Sequence, residues 1–123
     1  MDLIKVALLQ MTSYGEDQKA NRYKGETFCR RASEMGADIA LFPEMWNVGH
    51  SPFTLNSIKP WREWAISQEG DFVVHFQKLA RELGLTIALT YLEKWGNAIN
   101  THFIQPGSQS YLVTWHCKIY SLM

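Results

Sequence analysis

A chain of 123 residues, 46% hydrophobic and 20% charged, has the size and composition of one compact globular domain and excludes a disordered segment, a collagen-like repeat or a coiled coil. Twelve lysines and arginines offset twelve aspartates and glutamates, which leaves no electrostatic footprint for nucleic acid or an anionic membrane. No apolar run approaches the roughly 18 residues of a bilayer span, and Leu3 to Met11 lacks the basic n-region and cleavage site of a signal peptide, so a cytoplasmic protein is expected.

In chain order, "LIKVALLQ" (3 to 10) is short and aliphatic and predicts a buried strand. From about Asp17, apolar or small residues recur at Ala20, Tyr23, Phe28, Ala32 and Met35, a spacing that fits one face of a helix closed by Gly36. The run Ile39 to Phe42 is apolar without alternation, as a central strand covered on both faces would be, and Pro43 cannot continue the ladder. Residues 51 to 70 read as a long loop with a helical turn after Pro60. Asp71 looks like the N-cap of a second helix whose apolar face is Phe72, Val73, Phe76, Leu79, Ala80 and Leu83, ended by Gly84. "LTIALTYL" (85 to 92) is a third strand, and "INTHFI" and "SYLVTWHCK" flank the turn signal Pro106-Gly107 as a hairpin. The succession predicts an α/β fold with a mixed sheet.

Glu44 follows the second strand directly, and in open α/β sheets ligands gather beyond the carboxyl ends of strands. Set against Phe42, Pro43 and Trp46, its carboxylate is expected to be partly desolvated, which raises a carboxyl pKa toward the range of a general base. The alternative is structural: a cap for the following turn, or a partner for a surface lysine. Trp46 likewise reads either as a wall of a substrate entrance or as packing beside the sheet. Along 110 to 119, strand alternation puts Cys117 on the apolar face and Lys118 on the more polar one, so the cation does not activate its neighbouring thiol. Cys117 and Cys29 both read as buried thiols, too few for a disulfide framework and at no metal-ligand spacing. There is no His-Glu-x-x-His, no Cys-x-x-Cys pair, no glycine cluster for phosphate and no Gly-x-Ser-x-Gly elbow, so no metal or cofactor is expected. His75 reads as a satisfied polar residue at the edge of the second helix's core face.

Several stretches also carry a resemblance. "GADIALFPEMWNVGH" resembles the glutamate motif of the nitrilase superfamily, the carbon-nitrogen hydrolases. "KVALLQM" resembles that family's first strand, Asn21 falls where its first helix usually has an asparagine, and "HFQKLARELGLTIALTYLEK" resembles its second helix and following strand. "NAINTHFIQPGSQ" is similar to its Asn-Thr strand and turn, and "HCKIY" falls at its lysine motif. The whole chain lies along the N-terminal portion of that family.

The resemblance implies an α-β-β-α sandwich, with helices on one face of a mixed sheet, and a Glu-Lys-Cys triad acting on a small amide, nitrile or carbamoyl substrate. Residue by residue, Glu44 is then the general base and Lys118 the stabiliser of charge on the tetrahedral intermediate, while Trp46 and His50 border the pocket. The family's nucleophile lies beyond the lysine, a position that neither Cys29 nor Cys117 occupies. His116, Tyr120 and His50 stand where the family favours tyrosine, histidine and tyrosine. Residues 1 to 123 thus read as a single incomplete domain, inactive alone, whose uncovered sheet calls for a homo-oligomer or a complementary C-terminal fragment. Two further readings stand beside it: a non-catalytic dimerising or regulatory half-domain of the same fold, and a small unrelated α/β domain.

Overall fold

The computed structural model describes residues 2–49 and 63–94, together with the backbone of residues 116–120. Asp17 ends the first loop by capping a helix: its carboxylate accepts a hydrogen bond from Ala20 N at 3.0 Å, and α1 runs over Gln18–Glu34. The first strand, β1, is Val6–Leu8, and β2 is Ile39–Leu41. The second helix, α2, spans Asp71–Leu83, followed by β3 at Thr86–Tyr91 and β4 at His116–Tyr120. Residues 63 and 64 are helical, in line with a turn after Pro60; residues 51–62 of that loop and the first strand of the expected hairpin lie outside the described residues.

The sheet order is β1-β2-β3-β4. The first two pairings are parallel and the third is antiparallel, which is the mixed sheet expected. Ala7, Ala40 and Ile87 share one rung, and Leu8, Leu41 and Ala88 the next. Both helices lie on one face, where Cys29, Ala32, Phe72, Val73, Phe76, Leu79 and Ala80 pack with Ala40, Ile87, Leu89 and Tyr91. The rings of Phe42, Trp46, Phe72 and Phe76 form the centre of this core, with successive centroids 5.2 to 6.0 Å apart. Each such side chain, fully buried, contributes about 1.5–3 kcal/mol.

The described residues correct three local expectations. The face that α1 buries is Asn21, Gly25, Cys29 and Ala32, whereas Tyr23 and Met35 are 77% and 78% exposed. Small residues win because the helix comes close enough that a Cβ at Gly25 would lie 2.7 Å from Phe42 Cε1 and 2.9 Å from Phe76 Cζ. The N-cap of α2 is Gly70, in extended backbone, and Asp71 is the first helical residue; there its charge still complements the helix dipole. Finally, β2 is interior to the sheet but covered on one side only. Ala40 is buried, while Leu41, beside Leu8 at 62% and Val6 at 50% exposed on β1, is itself 37% exposed.

His75 does occupy a polar edge. Its Nε2 lies 2.6 Å from Glu26 Oε1, and Arg30 donates to Glu26 and Glu82 at 2.9 Å. Partial burial tends to raise the Glu26 pKa, but hydrogen bonds from Arg30 and His75 outweigh it and hold the carboxyl below its usual value. These groups fasten α1 to α2 at the surface, where solvent screens them.

The close approach at Gly25 yields a prediction opposite in sign to helix propensity. Alanine is normally favoured over glycine inside a helix by about 1 kcal/mol. Here Gly25→Ala is expected to lower stability by about 1–3 kcal/mol, the usual cost of overpacking, read as a drop in the urea midpoint at unchanged slope.

Candidate functional site

The five residues after Pro43 form a turn at the carboxyl end of β2. Within it the side chains divide sharply: Glu44 is exposed, while Met45, Trp46, Asn47 and Val48 are buried. Trp46 turns inward because its indole N–H donates to Asn21 O at 2.8 Å and its ring joins the helix-side core. Among the described residues nothing covers the Glu44 carboxylate as expected, since Phe42 and Trp46 face the core. Trp46 is placed in the core and not at an entrance. Glu44 makes no hydrogen bond or ion pair among the described residues, so neither a cap nor a lysine partner accounts for it there.

Backbone geometry in this turn is unusual. Met45 has φ 52° and is the one non-glycine residue with positive φ among the described residues, a conformation that costs an L-residue about 1–2 kcal/mol. Burial of its side chain against Val48, Ala65 and Leu92 offsets that cost, and its carbonyl accepts from Gly49 N at 2.7 Å and Val48 N at 3.2 Å.

Two buried asparagines and a threonine hold the turn to the rest of the fold. Asn21 Oδ1 accepts from Tyr14 N at 2.6 Å, and its Nδ2 donates to Gly15 O at 2.9 Å and Asn47 O at 2.8 Å. Asn47 Oδ1 accepts from Leu92 N at 2.8 Å, and its Nδ2 reaches Trp64 O and Gln18 Oε1 at 3.3 and 3.4 Å. Thr90 donates its hydroxyl to Pro43 O and accepts from Trp46 N at 3.2 Å. Asn21 was singled out from the sequence, whereas Asn47 and Thr90 were not. Their only signal is a polar residue inside an apolar run, "MWNV" and "ALTYL". Glu93, buried just past β3 with Tyr91 Oη 3.5 Å from its Oε1, was also missed.

Topology brings Lys118 to the same sheet edge. Because β2 and β3 are parallel, their carboxyl ends coincide, and antiparallel β4 begins there, with His116 opposite Tyr91, Cys117 opposite Thr90 and Lys118 opposite Leu89. His50 and the side chains of residues 116–120, including the directions expected for Cys117 and Lys118, lie outside the described residues. A groove of about 540 Å³, lined by residues 8–12 and 41–43, opens beside Glu44's turn. Cys29 is buried in α1, and loss of solvation, with a smaller effect of Glu26, pushes its thiol up to about 12; it is no thiolate at neutral pH. Among the described residues no cluster of three histidine, cysteine, aspartate or glutamate side chains suits a metal, and no helix is long and apolar enough to cross a membrane.

The carbon-nitrogen hydrolase family profile matches residues 5–116. A nitrilase of Pyrococcus abyssi is 25% identical over 89% of the chain, and a bromoxynil-specific nitrilase of Klebsiella pneumoniae is 27% identical over 77%. The chain spans 41% and 30% of their respective lengths, less than half in either case. An amidase from Nesterenkonia AN1, described as of the nitrilase superfamily, is 26% identical and superposes with a TM-score of 0.57 over 72% of this chain and 32% of its own. Variants of that amidase carry acrylamide, by Michael addition, or the acetamide moiety of fluoroacetamide on the active-site cysteine.

The division between anchoring and exposed residues predicts a loss of stability at one and none at the other. Asn21→Leu leaves the buried Asn47 O without its partner and removes the bonds to Tyr14 N and Gly15 O, and is expected to cost about 1–3 kcal/mol in urea denaturation. Glu44→Gln is expected to stay within about 0.5 kcal/mol of the parent, as exposed substitutions do.

Proposed function

The chain belongs to the carbon-nitrogen hydrolase family, and from that membership we propose that it carries the glutamate and lysine of a Glu-Lys-Cys triad for hydrolysing a non-peptide carbon-nitrogen bond in a small amide, nitrile or carbamoyl compound. Glu44 is the proton-moving group and Lys118 the charge stabiliser. The observation that carries this reading is the convergence of Glu44's turn and the first residues of β4 at one sheet edge. An exposed glutamate without a partner among the described residues supports it, since a carboxylate that did structural work would be engaged.

In the proposed reaction Glu44 takes the proton of a cysteine thiol, and the thiolate attacks the carbonyl or nitrile carbon. Lys118 stabilises the negative charge that develops on the tetrahedral intermediate. With an amide, the carbon-nitrogen bond then breaks, the amine leaves with the proton from Glu44, and water, activated by the same carboxylate, releases the acid from the thioester. The cysteine comes from outside residues 1–123. Cys29 is a buried thiol, and Cys117 stands immediately before Lys118 and not beyond it. Residues 1–123 act as a single incomplete domain, inactive alone, in which His50 borders the pocket and Trp46 acts on it through Glu44's turn.

Ammonia release tests this. The 123-residue chain alone is expected to release none from acetamide, acrylamide or a simple nitrile; release that Cys117→Ala abolishes would overturn the proposal. Complemented with a C-terminal portion of the family bearing the cysteine, the chain is expected to turn over amide, and Glu44→Gln to reduce the rate by roughly 10²–10⁴-fold.

A second reading, a half-domain that works by association, is favoured by the exposed apolar face of Val6, Leu8 and Leu41. It expects a discrete oligomer in gel filtration that Leu8→Lys converts to a smaller species. A polydisperse aggregate counts against it.

A further inference from the structure

The Thr90 hydroxyl touches the backbone on both sides of Glu44, through the carbonyl of Pro43 and the amide of Trp46. The segment it brackets is Glu44 and Met45, and Met45 is the residue held at φ 52°. One atom that both donates and accepts thus closes the loop containing the strained residue. A hydroxyl on a short stem does this, and the β-branch of threonine restricts χ1, so the bond directions are set by β3 itself. Thr90 is buried, and its bond from the Trp46 amide is buried with it.

The same residue is tied to the opposite strand. In the ladder Thr90 is paired with Cys117, and its neighbour Leu89 with Lys118. The distance from the Glu44 turn to the Lys118 rung is therefore spanned by adjacent residues of one strand.

We propose that Thr90 is a positioning residue: its hydroxyl holds Met45 in the left-handed conformation and so sets Glu44 at a fixed height and direction relative to Lys118. This rests on the reading of Glu44 as the proton-moving group for its catalytic meaning, but its geometric content stands by itself and is measured without substrate or nucleophile.

The test is solution NMR on the 123-residue chain. In the parent protein, Met45 is expected to show the strong intraresidue HN–Hα cross-peak that only positive φ produces, with a slowly exchanging Thr90 hydroxyl proton and a protected Trp46 amide. Thr90→Val keeps the shape and removes both bonds. It is expected to weaken the Met45 cross-peak, shift the Glu44 and Met45 amides and speed Trp46 amide exchange at least tenfold, with the α1 and α2 amides unmoved. Thr90→Ser is expected to restore the parent pattern. A valine variant that retains the Met45 cross-peak and Trp46 protection overturns the proposal. If the valine variant does not fold, the parent decides: a Thr90 hydroxyl exchanging as fast as an exposed one, or an unprotected Trp46 amide, also overturns it. Hydrolysis indifferent to Glu44→Gln would instead overturn the reaction and leave the clamp intact.

Discussion

The rest of the described structure depends on the close contact between α1 and the segment Phe42 to Trp46. A glycine in mid-helix lets three aromatic rings approach the helix backbone, and an asparagine one turn earlier supplies the polar partners that such proximity demands. Trp46 is drawn inward by its bond to the Asn21 carbonyl and by its place among the rings. With Phe42 and Trp46 both committed to the core, the residue between them that bears a charge is left on the outside. The exposure of Glu44 is a consequence of where its neighbours go.

That arrangement has a cost, and the fold distributes it. The turn contains a left-handed methionine and delivers several buried backbone groups. Unmade hydrogen bonds at such sites are expensive, and the polar side chains of the turn's surroundings meet them in a closed set. Asn21 serves the loop before α1, Asn47 serves Leu92, just past β3, and the segment at Trp64, and Thr90 serves Pro43 and Trp46. Together they hold the turn from three sides, against α1, against β3 and its end, and against the segment at Trp64. In the proposed reaction, such a rigid mount suits a group that must move a proton repeatedly to and from a fixed point.

The opposite face of the sheet behaves differently. Helices cover one side through a dense core, while Val6, Leu8 and Leu41 remain substantially exposed on the other. A strand interior to a sheet but bare on one side is what a layered architecture looks like where the described residues place helices on one face only. The coverage of less than half the length of each curated relative accords with that picture.

From the sequence alone, the order of the described elements, the mixed sheet, the start of α1 near Asp17, the helix stops at Gly36 and Gly84 and the core face of α2 were all legible, because they rest on local chemistry: short aliphatic runs, helical spacing and residues that stop or start a turn. The position of Glu44 at a strand's carboxyl end was legible for the same reason, as was the burial of Cys29. The buried face of α1 was not, because spacing ranks residues by hydrophobicity whereas close packing against aromatic rings selects for small size, which chose Asn21 and Gly25 over Tyr23 and Met35. Nor was the exposure of Glu44, which depends on Trp46 finding a carbonyl 25 residues earlier. Asn47 and Thr90 escaped notice because a polar residue within an apolar run carries no label; only tertiary structure, by bringing Pro43, Trp46, Leu92 and Asn21 within hydrogen-bonding distance of them, decided what they do.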